Sequence, residues 1–172
     1  MTEAKQTNEP AKQAVPEFRV FQHDKPAMAL GLAVNHLMNK PAFAKLPFGE
    51  WSQILVGQIN RKHYYFVLDA NNKIVGFAGR ALASKEHAEA WAEGRRPLSY
   101  EDSIAGDCMV CNAWSANATH VHRWMFREAN NVWAGKRLVY FRRFYPDGRV
   151  RPARINVAKS WEGKAREGEP GR

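Results

Sequence analysis

The chain has 172 residues, 45 % of them hydrophobic, enough for one domain with a real core and short tails. No apolar run approaches the ~20 residues that span a bilayer, and the polar N-terminus lacks the apolar stretch of a signal peptide. The formal net charge of +9 is concentrated late: between Lys136 and Arg154 stand seven basic residues and one acid, Asp147. A soluble, cytoplasmic protein with a docking surface for something acidic is therefore expected, be it a carrier protein, nucleic acid or an anionic lipid. The two cysteines, three residues apart, cannot form a stapling disulfide framework.

Residues 1–16 and 158–172 are polar and read as disordered tails around a single domain, 17–157. A first helix is expected near Asp24, with Pro26 in its first turn. Leu30, Ala33, Val34, Leu37 and Met38 fall on one face by helical spacing. Pro41 and Pro47 interrupt the chain before a second helix from Glu50, with Trp51, Ile54, Leu55 and Ile59 inward. The period then changes. Lys62–Leu68 is apolar on both faces, as an interior strand is, and Asp69–Asn72 turns it into a partner strand, Ile74–Ala78. Ser84 caps a short helix through Trp91, and 94–106 is loop. A strand follows from Cys108 to Trp114, then a helix over 118–133 stopping at Gly135. A last hairpin, 138–145 and 149–155, closes around Pro146-Asp147-Gly148. The order ααββαβαββ is an α+β domain, a mostly antiparallel sheet with helices packed on it. It resembles the layout of the GCN5-related N-acetyltransferase (GNAT) fold.

The stretch GDCMVCNAW, followed by THVH, holds both cysteines and two of the six histidines. Four ligands of the zinc-binding type are present, but no turn former interrupts Cys108–Trp114. In a strand, residues three apart point to opposite faces, so the thiols diverge and no metal site is expected. A redox pair needs its first cysteine at a helix N-terminus, which is not the case here. Strict alternation puts Cys108, Val110, Asn112 and Trp114 on one face and Met109, Cys111 and Ala113 on the other.

A Gly-Asp pair opening a central strand, with Trp114 eight residues after Gly106, resembles the toxin-activating lysine acyltransferases. These enzymes fatty-acylate RTX toxins from acyl-acyl carrier protein. LMNKPAF resembles the end of that family's first helix and the loop after it. QINRKHYYFVLDANNKIVGFAGRAL resembles its strand pair and following segment, and RRFYPDGRV its late arginine-rich strand and turn. The likeness spans about residues 28 to 151.

The resemblance implies an acyl-acyl carrier protein donor, a protein-lysine acceptor and no tightly bound cofactor. It also implies a catalytic histidine two residues beyond the loop proline and an aspartate directly before the strand tryptophan. Here those positions hold Phe43 and Ala113. A phenylalanine cannot shuttle a proton and an alanine cannot orient an imidazole. The expected function is therefore that of an acyltransferase-like protein without the catalytic pair, binding an acyl chain, a carrier or a protein partner. Candidate substitutes for an active enzyme are His36 (about 10 Å upstream by helix rise), His120, His122 and Cys111, which shares a face with Ala113 under strict alternation. Arg137, Arg142, Arg143, Arg149, Arg151 and Arg154 are the expected carrier-docking surface. No Gln/Arg-x-x-Gly-x-Gly/Ala loop supports coenzyme A use. A less favoured reading is a nucleic-acid-binding module, with Phe144 and Tyr145 interleaved among Arg142, Arg143 and Arg149.

Overall fold

The computed structural model describes residues 17–145 and 147–157; both expected tails, 1–16 and 158–172, lie outside the described residues. The elements are β1 (Phe18–Phe21), α1 (Pro26–Leu37), α2 (Phe48–Asn60), β2 (Tyr64–Asp69), β3 (Ile74–Ala83), α3 (Lys85–Ala92), β4 (Cys108–Ala116), α4 (Thr119–Trp133), β5 (Leu138–Phe144) and β6 (Val150–Asn156). The six strands form one sheet in sequence order, β1-β2-β3-β4-β5-β6. Every pair is antiparallel except β4–β5, which α4 bridges and which is parallel. This is the α+β, mostly antiparallel layout expected from the sequence. No described helix is long and apolar enough to cross a membrane.

Two apolar layers sandwich the sheet. On one face α1 and α2 cover Tyr64, Phe66, Phe77 and Ala113, and α3 covers Ala81, Ala83, Cys108 and Val110. On the other face α4 covers Tyr65, Val67 and Ala78, and further along Met109, Cys111 and Val139. Burial on both faces explains why β2 reads as a continuous apolar run.

Four expectations need correction. Strand β1 was not anticipated; it pairs Phe18–Phe21 with Phe66–Asp69 and closes the sheet edge. The buried stripe of α1 is Ala29, Ala33 and Leu37, while Leu30 and Val34 flank it and Met38 is exposed. Small alanines let the helix backbone come close to its neighbours, and the larger side chains splay to the sides. In α2, Trp51, Leu55 and Ile59 turn inward as expected, but Ile54 is exposed. Strand β3 also runs five residues past Ala78, because its Gly- and Ala-rich second half leaves room for Ala88 and Ala92 of α3 to seat on it. The hydroxyl of Ser84 accepts from the amide of His87 at 3.2 Å, capping α3 as expected.

Candidate functional site

The decisive local feature is a β-bulge. Gly79 pairs with Ala113 and Arg80 with Cys111, so Asn112 is an extra residue on β4. Gly79 permits it: a Cβ at that position would overlap the side chain of Gln58, which is fully buried and donates from Nε2 to Oδ1 of Asn112. The bulge resets the alternation. Asn112 and Ala113 both turn toward the α1–α2 face, whereas Cys111 and Trp114 turn toward α4. The expected shared face of Cys111 and Ala113 is thereby overturned, as is that of Cys108 and Trp114. Cys108 and Cys111 do lie on opposite faces, both buried.

Bulges bend and twist the strand that carries them. Strands β4 and β5 are paired only from Cys108↔Leu138 to Val110↔Tyr140, and the parallel pairing ends just before the bulge. Beyond it a cleft of about 1080 Å³ opens at the carboxyl end of β4. One wall is the α1–α2 loop, Lys40 to Leu46; another is Trp114 and Ala116 with the start of α4; the third is the β5–β6 turn with Phe144 and Tyr145. Successive turns fold the loop inward: Phe43 donates from its amide to the carbonyl of Lys40 at 2.8 Å, and Leu46 to that of Phe43 at 3.0 Å. Phe43 is thereby buried against Trp51, ring centroids 5.9 Å apart. Lys40 Nζ ties the loop to Asn117 Oδ1 at 2.6 Å.

Phe43 and Ala113 belong to one buried apolar cluster, together with Trp51, Tyr64, Phe66 and Phe77. Phe43 also lines the cleft. The two positions where the resemblance calls for an acid–base pair are thus brought into the same region and are both apolar.

Of the four substitutes, His122 alone lines this cleft. Trp114 donates from Nε1 to its Nδ1 at 2.9 Å, so the neutral ring carries its proton on Nε2 and presents a hydrogen-bond donor, not a base, on that side. His120 stacks near Phe18, 5.7 Å between centroids, outside the cleft. His36 is half-buried with Nε2 lacking a partner among the described residues; burial, then the charge of nearby Lys40, lowers its pKa to about 4. Cys111 is walled by Met109, Ala129 and Trp133, and burial pushes its thiol up to about 12. A thiol so held is almost wholly protonated at neutral pH. In the native protein Cys111 is expected to resist iodoacetamide at pH 8 and to react at the free-thiol rate once the chain is unfolded. Rapid native labelling at Cys111, located by peptide mapping, would restore it as a nucleophile.

The six arginines do not form one patch. Arg137 pairs with Asp107 at 3.0 Å, at the end of the sheet away from the cleft. Arg142 stacks on Trp91, 4.5 Å from the ring centroid, and donates to the Trp91 carbonyl from Nε at 2.9 Å and from Nη2. Its role is structural, which also removes it from a nucleic-acid surface. Arg149 pairs with Asp147 at 2.5 Å and lies over Tyr145, and Arg154 approaches Glu89 at 3.6 Å. Arg143 and Arg151 stand opposite each other across β5–β6, both exposed, with no ion pair among the described residues.

Two residues that sequence reasoning passed over also lie near the bulge. His63 has Nδ1 buried without a partner among the described residues, and Gln58 was legible as the position between Leu55 and Ile59 on the α2 face. Burial first, then the charges of Arg80, Arg61 and Lys136, lowers the His63 pKa to about 4. His36 and His63 therefore share a sign. Above the unfolded pKa of 6.5 both are neutral folded or unfolded. As pH falls from 6.5 to about 4 the unfolded chain takes up protons that the folded chain refuses, and stability is lost. Allowing for solvent screening of half-exposed rings, each costs on the order of 1 kcal/mol, a fall in Tm of about 5 °C for the pair. Thermal melts at pH 7.5 and 4.5 should show that fall reduced in His36→Gln, His63→Gln protein; an unreduced fall would assign it to other groups.

No family model and no curated protein matches the sequence. Among solved structures the chain is similar to a crystal structure of a histone acetyltransferase HPA2 and related acetyltransferase from Corynebacterium glutamicum. The identity is 11 %, over 92 % of this chain and 90 % of that one, with a TM-score of 0.47. A likeness that loose transfers no residue roles; the chemistry of the cleft follows from its own side chains.

Proposed function

We propose that this is an acyltransferase-like protein that holds an acyl chain in the cleft between β4 and β5 without transferring it. The observation that carries this reading is the joint burial of Phe43 and Ala113 in one apolar cluster beside a cleft of about 1080 Å³. A cleft of that size accommodates a long aliphatic chain, and burying such a chain contributes roughly 0.8 kcal/mol per methylene. Leu46 and Phe144, 44 % and 59 % exposed, give the mouth an apolar rim. Ala118 opens α4 as an N-cap with no side-chain hydrogen bond, and no acid lies in the helix's first turn, so the rim is electropositive where a phosphopantetheine arm would pass. Acyl carrier proteins are acidic, and the exposed pair Arg143 and Arg151 is the part of the basic segment best placed to meet one.

Displacement of a fluorescent fatty acid by acyl-acyl carrier protein tests the reading. Leu46→Glu and Phe144→Glu put charges on the rim without touching the core, and should weaken binding of both ligands at least tenfold. Arg143→Glu with Arg151→Glu should weaken only the carrier-borne chain, and less so at high salt, where exposed charges are screened over ~8 Å or less. Equal affinity of wild type and rim variants for the free fatty acid would defeat the proposal.

A further inference from the structure

A second groove, of about 580 Å³, lies on the α1–α2 face between α2 and the segment that follows α3. Its floor is Asn112 of the bulge, one side is Gly57 and Arg61, and the other is Trp91, Leu98 and Tyr100. Arg61 is the singular group. Its Nε and Nη1 are buried with no hydrogen-bond partner among the described residues, and it takes part in none of the ion pairs found there. Among the described residues the one carboxylate lining the groove is Glu50, and it forms no ion pair with Arg61. The guanidinium is covered on one side by the Tyr100 ring, 4.9 Å from centroid to Cζ. Gly57 leaves the guanidinium its place: a Cβ there would stand 3.1 Å from Arg61 Nη1 and push it aside by a few tenths of an ångström.

A desolvated guanidinium without partners is costly, and the planar fork of a carboxylate, taking Nη2 together with either Nε or Nη1, would satisfy one of its two buried edges. The rest of the groove is Trp91, Leu98 and the half-exposed Tyr100, surfaces for a flat or branched apolar body. We infer that the Arg61 groove is a binding site for a small organic carboxylate carried on an aromatic or branched apolar body. The carboxylate pairs with Arg61, the body lies against Tyr100 and Leu98, and the inner end reaches Asn112. Gln58 positions Asn112 through the Nε2 to Oδ1 hydrogen bond. The groove is separate from the β4–β5 cleft, and the inference stands whether or not that cleft holds an acyl chain.

The probes are phenylacetate and indole-3-acetate, with benzyl alcohol as the uncharged and phenyl phosphate as the phosphate counterpart. They are titrated into the whole protein by calorimetry and followed on the Arg61 Nε–H resonance, which reports on this groove and not on the cleft. The carboxylates should bind and shift that resonance, with benzyl alcohol at least tenfold weaker. Arg61→Lys should lose at least tenfold in affinity, since an ammonium cannot reproduce the fork. Gly57→Ala is the variant that separates binding from folding. Alanine favours a helix interior over glycine, so Tm should hold or rise while the displaced guanidinium weakens binding. No shift of Arg61 at millimolar carboxylate, unchanged affinity in Arg61→Lys, or tighter binding of phenyl phosphate than of either carboxylate would overturn the assignment.

Discussion

Incubated with acyl-acyl carrier protein and a lysine-bearing peptide, the protein is expected to leave the peptide unmodified. Transfer to an amine needs a base to take the lysine proton and a partner to orient or charge-stabilise that base. The cleft offers neither. Phe43 and Ala113 are apolar and buried together, and His122 spends its Nδ1 lone pair on Trp114. A general base contributes ~10²–10⁴-fold, and because the orienting partner acts through that base the loss of both is not the product of two such factors but still removes at least the base's share. Mass spectrometry of the peptide should find no acyl-lysine above the uncatalysed background. Phe43→His with Ala113→Asp should raise transfer above that background if the surrounding geometry is retained. The pair also carries a stability cost, because both side chains enter an apolar cluster. Robust acylation by wild type would contradict the account, and loss of it in His122→Ala or His36→Ala would then identify the group responsible.

The largest expected stability effect lies at Gly106, where the loop delivers the chain to β4. Its φ is +155°, and a Cβ there would overlap the carbonyl of Ala83 and crowd the amide of Ser84. Both are backbone atoms at the junction of β3 and α3, so no side chain can move aside. Gly106→Ala should cost on the order of 3–5 kcal/mol, at the exceptional end for a point substitution. That corresponds to a Tm lower by about 10 °C or more for a chain of this size. Gly94→Ala and Gly148→Ala are useful controls, since each has open space around the would-be Cβ but a positive φ of +77° and +84°. A Gly106→Ala loss no larger than theirs would mean that the β3–β4 junction yields more easily than its packing indicates.

Much of the fold is written in local pattern. The doubly apolar KHYYFVL becomes a strand buried on both faces, the Asp69–Asn72 turn forms with Asp69 Oδ1 accepting from the amides of Asn71 and Lys73, and Gly135 ends α4 at φ +77°. What escapes the pattern depends on neighbours distant in sequence. Strand β1 is four residues long and is held by its pairing to β2 and by Phe18 against His120 and Trp124 of α4, all distant in sequence. The α1 stripe is set by how closely Ala29 and Ala33 let that helix approach, not by where its largest side chains fall. The bulge at Asn112 is invisible because CMVCNAW is apolar enough to fit any alternation, and Gly79 and Gln58, which select it, are 33 and 54 residues away by numbering.

For the site the division is similar. The resemblance placed Phe43 and Ala113, and the fold brings them into one cluster. It did not foresee that Cys111 would turn to the opposite face, since that follows from the bulge alone. Nor did basic composition distinguish Arg142, committed to Trp91, from exposed Arg143 one residue on. Charge density marks a segment; only contacts decide which of its charges are free.

The most direct test of the central claim is photo-crosslinking with a fatty acid carrying a diazirine at its methyl end, followed by peptide mapping. The account predicts light-dependent, near-stoichiometric labelling confined to residues 40–46 and 114–122, with the probe concentration for half-labelling raised at least tenfold by Phe144→Glu. Labelling on 50–61 and 97–103, or none at saturating probe, would contradict it.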